Sequence, residues 1–405
     1  MKISINRATT HSPREYRILL GGSLINSIGS AMVFPFFTLY LRQHLDLSLT
    51  LIGALLSFWA ASSIVGQLAG GWLTDRIGRK PLMLASLASN AVLIIAFGYA
   101  DTFWLASFVS ALLGLTGSIF QPARDAMVAD LIPPEKRAEA YARLRVLHNV
   151  GVAIGPALGG FLAAQSFLYV FYVNAFALLA FFALTLFFLR ETKPVESLSA
   201  RENVFGALTA VFRDARYMAF CLALSLVVVA GAQMMTVLPV YMHDNFNLGA
   251  SYFGWVMTTN ATLVVLFQYL LTRATGSFAR LPLIALGAIF YALATASIAL
   301  ANAFPHFLLA MAVMTLGEML VAPISTALAA DLAPAHMRGR YMAMLGLTWT
   351  VGYGVGPMLG GIISDNYSAR ALWPLMGIAG FFGAAIFLML ARFAPARAAV
   401  ASSPQ

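Results

Sequence analysis

Charge is what this sequence has least of for its size. Only 10% of its 405 residues are charged, where a soluble domain carries about 25%. Beside a hydrophobic share of 60%, that shortage excludes a soluble globular protein. Cysteine is represented by Cys221 alone, which excludes an internal disulfide framework and a cysteine-based metal site. No Gly-x-x-x-x-Gly-Lys-Ser/Thr loop occurs, which argues against an ATP-driven pump within the chain. Metal-ligand clusters and nucleophile arrangements are missing as well, so the chain is not read as an enzyme and no metal or cofactor is expected. Ten-residue segments of alternating polarity, the mark of a closed membrane barrel, do not appear either.

What the chain has instead is a series of charge-free apolar runs. A span needs roughly 20 apolar residues, about 30 Å of helix. Leu47–Thr74 and Leu82–Ala100 meet that length, and Val146–Leu189 is long enough for two helices broken at Gln165-Ser166. The expected spans are 16–41, 49–74, 81–100, 103–131, 139–164, 167–190, 217–242, 250–273, 282–301, 305–332, 339–364 and 370–392. That is an all-α membrane protein of twelve transmembrane helices. The basic N-terminal segment is not read as a signal peptide, because the apolar run behind it is too long and enters a polytopic chain.

The net charge of +9 reads as topology rather than as affinity for nucleic acid. With the N-terminus inside, alternation across the spans leaves only Arg42 and Arg370 of the 25 Lys and Arg on the far side. So strong a bias puts both termini in the cytoplasm, with some attraction to anionic membrane lipid.

Self-comparison is the most informative operation on this chain. A shift of 201 residues lays Tyr16 on Tyr217, Tyr40 on Tyr241, Gln67 on Gln268 and Pro81 on Pro282 without a gap. At the same offset Pro122, Asp130, Pro133 and Arg137 fall on Pro323, Asp331, Pro334 and Arg338. The chain is therefore two parallel six-helix halves, 14–190 and 217–395, joined by a charged cytoplasmic linker, 191–216. Within the linker, Phe205–Phe212 is a candidate amphipathic surface helix, with an irregular loop as the alternative. The tail after Arg392 is expected to be disordered.

Three features carry chemistry. The first is the loop Gly71-Trp72-Leu73-Thr74-Asp75-Arg76-Ile77-Gly78-Arg79-Lys80-Pro81. Its four ionisable groups cannot sit in hydrocarbon, so it is a tight water-facing hinge. Gly71 and Gly78 permit the turn, and Asp75 is an acid suited to the N-terminal end of a neighbouring helix. The plain alternative is a loop whose cations only set topology. The second is Gly151-x-x-x-Gly155-Pro156-x-x-Gly159-Gly160, repeated as Gly352 to Gly361. Glycines every four residues make a smooth helix face for close approach, and Pro156 bends the helix. The third is Glu318, the only acid near mid-membrane, some 13 residues from either end of the tenth span. A carboxylate there is costly when ionised, so it should be protonated much of the time, as a proton-binding site requires. A structural carboxyl bonded to a neighbouring helix is the alternative.

Lower in rank are Asn26, Gln121, Gln233 and Asn260, uncharged groups at cavity depth that are more often helix–helix hydrogen bonds than ligand contacts. Aromatic and Met side chains such as Phe34, Phe37, Met234, Trp349 and Tyr353 make an adaptable apolar lining for flat lipophilic molecules. Of these, Trp349 is the substrate-binding candidate. His148 stands one third of the way into the fifth span, and Asp125 is expected to pair locally with Arg124.

The loop, the glycine stripe and the segments Pro122–Arg137 and Gly317–Tyr341 resemble the major facilitator superfamily over residues 14–395. The likeness is strongest to its twelve-span drug:proton antiporters of bacteria. That resemblance implies a monomer in the bacterial inner membrane that binds small-molecule substrate and protons, with the proton gradient as its energy source. It also implies a cytoplasmic gate made of Gly71, Asp75, Arg76, Gly78, Arg79 and Asp130. In that gate Arg79 pairs with Asp130, and Asp75 caps the helix beginning near Arg338-Gly339-Arg340. The matching loop of the second half, 272–282, keeps Arg273, Arg280 and Pro282 but has no acid, so the latch should be one-sided.

In the same family the Gly151–Gly160 pattern is associated with antiporters, and a glutamate placed like Glu318 acts in proton coupling and cation recognition. The arginine often carried within the fourth span is missing here, which throws more weight on Glu318. The expected function is proton-driven export of lipophilic drugs, cationic ones among them, by alternating access. The alternatives are export of one physiological solute (a sugar, an amino acid or a lipid-like metabolite), a symporter, and a non-transporting receptor on the same fold.

Overall fold

Helices dominate because a long apolar run in hydrocarbon must satisfy every backbone N–H and C=O within itself. The computed structural model describes residues 13–133, 136–193, 211–334 and 337–392, and among them every regular element is a helix. In the first half these are α1 (Pro13–Val33), α2 (Phe37–Leu45), α3 (Leu49–Ile77), α4 (Arg79–Gly98), α5 (Phe103–Leu131), α6 (Arg137–Ala163) and α7 (Phe167–Phe188). The second half has α8 (Ala215–Thr236), α9 (Leu238–Phe246), α10 (Ala250–Thr275), α11 (Arg280–Ser297), α12 (Phe304–Leu332), α13 (Arg338–Asn366) and α14 (Leu372–Arg392). Most of the linker, the greater part of the candidate surface helix at 205–212 and the tail after Arg392 lie outside the described residues.

The first and seventh spans are broken rods. A 3-10 turn at Phe34–Phe36 separates α1 from α2, and Val237 separates α8 from α9. Proline causes both breaks, Pro35 in the turn and Pro239 in the first turn of α9, by withholding an N–H from the helical ladder. With these pairs counted as one rod each, twelve rods are described. Eleven of them are long and apolar enough to cross a membrane. The twelfth, α13, has 29 residues, but glycines, threonines and tyrosines dilute its apolar content. Large side chains elsewhere stand out of the protein: Trp104 is 77% exposed, Phe176 73% and Phe187 74%. In water such a surface would aggregate; on a membrane span it faces lipid.

The described chain forms two compact units. The first takes Met1–Phe34, Ala61–Gly155 and Gln165–Ala200; the second takes Pro35–Ala60, Pro156–Ala164 and Arg201–Gln405. The division falls in the 3-10 turn, inside α3, and inside α6 at Pro156. In the first unit α4 packs on α5 and α7, and α1 on α7. The α6 backbone meets α1 where Gly151 faces Ser27 and Gly155 faces Ala31.

In the second unit α11 packs on α12 and α14, and α8 on α13 and α14. There Gly352 faces Val228 and Gly356 faces Ala232, each pair displaced from its counterpart by the repeat offset. One hydrogen bond repeats as well. Tyr16 donates to the Ala140 carbonyl at 2.9 Å, and Tyr217 donates to the Tyr341 carbonyl at 2.5 Å. These contacts recur at the offset of 201 residues, although the two compact units are not the two sequence halves, since 35–60 and 156–164 belong to the second.

Candidate functional site

Glu318 sits at the midpoint of α12, 14 residues from each end, or about 21 Å of helix either way. Two features of the sequence put it there. Gly287 and Gly317 let α11 and α12 approach so closely that a Cβ on Gly317 would lie 2.6 Å from the Gly287 carbonyl oxygen. Pro323, one turn further along, has no N–H for the Met319 carbonyl, and Gln268 Nε2 of α10 donates to that orphaned oxygen at 3.2 Å. The side chain of Glu318 accepts a hydrogen bond from Asn260 Nδ2 at 2.7 Å. Asn260 donates also to Thr315 Oγ1 at 3.0 Å, one turn before the glutamate.

Tyr291 of α11 and Tyr353 of α13 lie within electrostatic reach of the carboxylate, and the Tyr353 ring stacks on Trp349 at 6.4 Å. Glu318, Asn260, Trp349 and Tyr353 all keep partial exposure. The cluster is therefore a carboxylate held by the Asn260 amide, with tyrosines of two other helices close to it. Such an arrangement can bind a proton or a cation, and it offers flat apolar faces beside the charge.

The charged stretch 71–81 builds a second cluster, in the first unit, but not as the loop expected from the sequence: 71–77 end α3 and 79–81 begin α4, leaving Gly78 alone as the turn. Arg79 is buried, with 7% of its side chain exposed, and its Nε donates to Asp130 at 2.9 Å. Its Nη1 lies 3.6 Å from Asp75 and donates to the Thr74 carbonyl. Gly78 takes φ of +117°, a conformation only glycine adopts without strain. The N-terminus of α4, immediately after it, has no cap from its own sequence. Glu191 supplies one, accepting from the backbone N–H of Arg79 and of Lys80, both at 3.0 Å. Thr192 then donates to Asp130 at 2.9 Å, and Lys193 to the Arg76 carbonyl at the end of α3.

In the second unit the pair Arg280–Asp331 forms too, at the repeat positions of Arg79 and Asp130. The arginine–aspartate element is accordingly present in both halves. Only Asp75, whose counterpart is Gly276, is one-sided.

A third cluster joins α3 to α13. Asp365 at the end of α13 accepts from the Thr50 N–H and hydroxyl, both at 2.7 Å, and from the Leu49 N–H at 3.3 Å. It caps the start of α3. Below it a Cβ on Gly361 would meet the Leu49 backbone at 2.3 Å, and one on Gly53 would meet Met358 at 2.3 Å. Ser57 donates to the Gly354 carbonyl at 2.8 Å, and Arg42 pairs with Asp244 at 3.0 Å.

The family profile of the Major Facilitator Superfamily matches residues 19–249 and 220–405. The chain belongs to that superfamily. It is a multi-pass membrane transporter of small molecules, not an enzyme. A transporter of this type from Bacillus subtilis, YttB, is 32% identical over 89% of the chain and 91% of its own length. A Na(+), Li(+), K(+)/H(+) antiporter of Planococcus maritimus is 28% identical over 85% of the chain and 88% of its own. The multidrug resistance protein MdtH of Escherichia coli is 26% identical over 91% and 92%. In three dimensions the fold matches a crystallised POT family transporter with a TM-score of 0.78 at 16% identity, over 94% of this chain and 96% of that one.

Within this transporter the other sequence candidates are placed as follows. Gln233 is fully buried and donates to the Gly356 and Val229 carbonyls, so it fastens α8 to the α13 glycine stripe. Gln121 is exposed on α5. Asn26 is half-buried on α1, and its side-chain oxygen has no protein donor among the described residues. Arg76 lies over the Trp72 ring at 5.1 Å, and Gly71 has open space where a side chain would go. Gly159 and Gly160 are buried in α6, with Gly160 against Gly254 of α10. His148 approaches Ser27 at 3.4 Å, and Asp125 holds Arg124 at 2.7 Å. Sequence reasoning passed over Glu191 and Asp365. Each is an acid at the C-terminal end of a span, and no local pattern names the distant helix it caps.

Proposed function

We propose that this transporter exports lipophilic solutes, cationic ones included, in exchange for protons by alternating access, with Glu318 as the proton-coupling group. The observation that carries this reading is the pairing of Glu318 with Asn260 at the centre of α12. A carboxylate at that depth is tolerated only if it is partnered or protonated. One hydrogen-bond donor and two nearby tyrosines leave it able to alternate between a proton and a cation. Binding of one ligand then weakens binding of the other, which is the linkage an exchanger needs.

Two relatives support the reading by name: MdtH for drugs, and the Planococcus protein for exchange of a cation against H(+). The second favours an alternative cargo, an inorganic monovalent cation at the same carboxylate. In the proposed cycle the Arg79–Asp130 and Asp75 cluster gates the cytoplasmic side of the bacterial inner membrane. The Gly151–Gly160 stripe keeps α6 against α1.

The test uses everted membrane vesicles energised to an acid interior. Addition of a lipophilic cationic dye should dissipate the pH gradient in vesicles carrying the natural protein. Glu318→Gln should abolish that dissipation while the protein stays folded and inserted. Dissipation by Na(+) but by no dye in a panel would move the cargo to the inorganic cation. Pumping by Glu318→Gln at the natural rate would overturn the proton-coupling role.

A further inference from the structure

A cavity of about 370 Å³ opens between the start of α1, the end of α5 and the start of α6, outside the three clusters around Glu318, Arg79 and Asp365. Leu20 and Leu131 give its lining an apolar part, while Arg17, Lys136 and Arg143 line it with one acid among the described residues, Glu139. Arg143 holds Glu139 at 2.5 Å, but both side chains are more than half exposed, at 59% and 62%. An ion pair so open to water contributes little and exchanges readily for another anion. Tyr16 also lines the cavity, and its hydroxyl is already engaged with the Ala140 carbonyl.

The internal repeat supplies a control for what these cations do. Shifted by 201 residues, Arg17, Lys136 and Arg143 become Met218, Met337 and Met344, and Glu139 becomes Arg340. The tyrosine bond survives the shift, as Tyr217 to the Tyr341 carbonyl. The architecture therefore closes without the three cations. A bias for positive charge on the inner side would be met by cations anywhere in these loops. Here they come from helices more than a hundred residues apart and meet in one cavity with a partly apolar lining.

That combination fits a phosphate ester carrying acyl chains, and it lies at the end of the bundle that the lysine and arginine bias places in the cytoplasm. Headgroups of the inner leaflet stand at that level, and nearby cations attract the anionic ones. We propose that this cavity is a binding site for the phosphate headgroup of an anionic phospholipid, with Arg17, Lys136 and Arg143 as its donors.

The test is a titration of the purified full-length transporter in neutral detergent, read as the midpoint of thermal unfolding and as bound lipid in native mass spectrometry. Phosphatidylglycerol should raise the midpoint saturably, and phosphatidylcholine should not. The variant Arg17→Met/Lys136→Met/Arg143→Met copies the second half's own residues. It should bind phosphatidylglycerol at least tenfold more weakly. Lys136→Gln alone should show a two- to threefold loss and serves if the triple variant fails to fold. A control of equal charge loss elsewhere, Arg190→Gln/Arg213→Gln/Arg392→Gln, should keep the natural affinity. Equal losses in the two triple variants would overturn the site in favour of general surface attraction. Full affinity in both the triple Met variant and Lys136→Gln would overturn it outright, and saturable protection by inorganic phosphate without lipid would overturn the lipid assignment.

Discussion

Gly78 shows how much a single residue can carry in this molecule. At φ +117° it occupies backbone space that side chains avoid, and an added Cβ would lie 2.6 Å from a Glu191 carboxylate oxygen. Gly78→Ala should therefore cost about 1–3 kcal/mol in backbone strain and push Glu191 off the N-terminus of α4. The expected outcome is a lower thermal unfolding midpoint in detergent. Gly71→Ala, where nothing lies within 4 Å, should leave the midpoint unchanged.

The need for glycine was legible in the sequence, because two charged residues on either side demanded a turn. Glu191 was not, because a capping acid from more than a hundred residues away leaves no mark near the helix it caps. Glu318 and Asn260 divide in the same way. Charge at mid-span singles out the glutamate from sequence alone, whereas depth did not separate Asn260 from Gln121 or Gln233. A sequence gives position along a helix well and rotation about its axis poorly when apolar residues cover every face.

For the helices as elements, the apolar runs fixed most ends within a few residues, since a charge or a proline stops each run. The interruptions in the first and seventh spans were hidden because they are apolar themselves, Phe34-Pro35-Phe36 and Val237-Leu238-Pro239. Their outer segments bring Arg42 and Asp244 together, beside the point where Asp365 caps α3. A carboxylate on helix N–H groups stabilises by about 1 kcal/mol, small enough to be broken in a working cycle. Asp365→Ala should therefore loosen the α3–α13 contact without unfolding the protein. A cysteine placed at Ser57, which donates to the Gly354 carbonyl, reports on it. Its labelling by a membrane-impermeant maleimide should speed up several-fold in the Asp365→Ala background. Equal labelling with and without Asp365 would show that the glycine contacts alone hold the two helices.

For the whole molecule, the duplication sets up a comparison that a single-copy protein could not offer. Arg79–Asp130 and Arg280–Asp331 are the same pair in two halves, yet their surroundings differ. The first has 7% and 21% of its side chains exposed, the second 42% and 62%. Removing one partner of a buried pair leaves an uncompensated charge, at a cost of about 3 kcal/mol for a pair not fully enclosed. Removing one partner of an exposed pair costs about 1 kcal/mol or less. Asp130→Asn should then lower the unfolding midpoint clearly, while Asp331→Asn should scarcely move it.

Thr192 adds to the contrast, because its hydroxyl donates to Asp130, whereas the residue 201 positions on, Phe393, has no hydroxyl to donate. In the first half the chain just beyond α7 returns as Glu191-Thr192-Lys193 and covers the ion pair. Equal destabilisation by the two substitutions would mean that the repeat, rather than this covering segment, governs the strength of the pair.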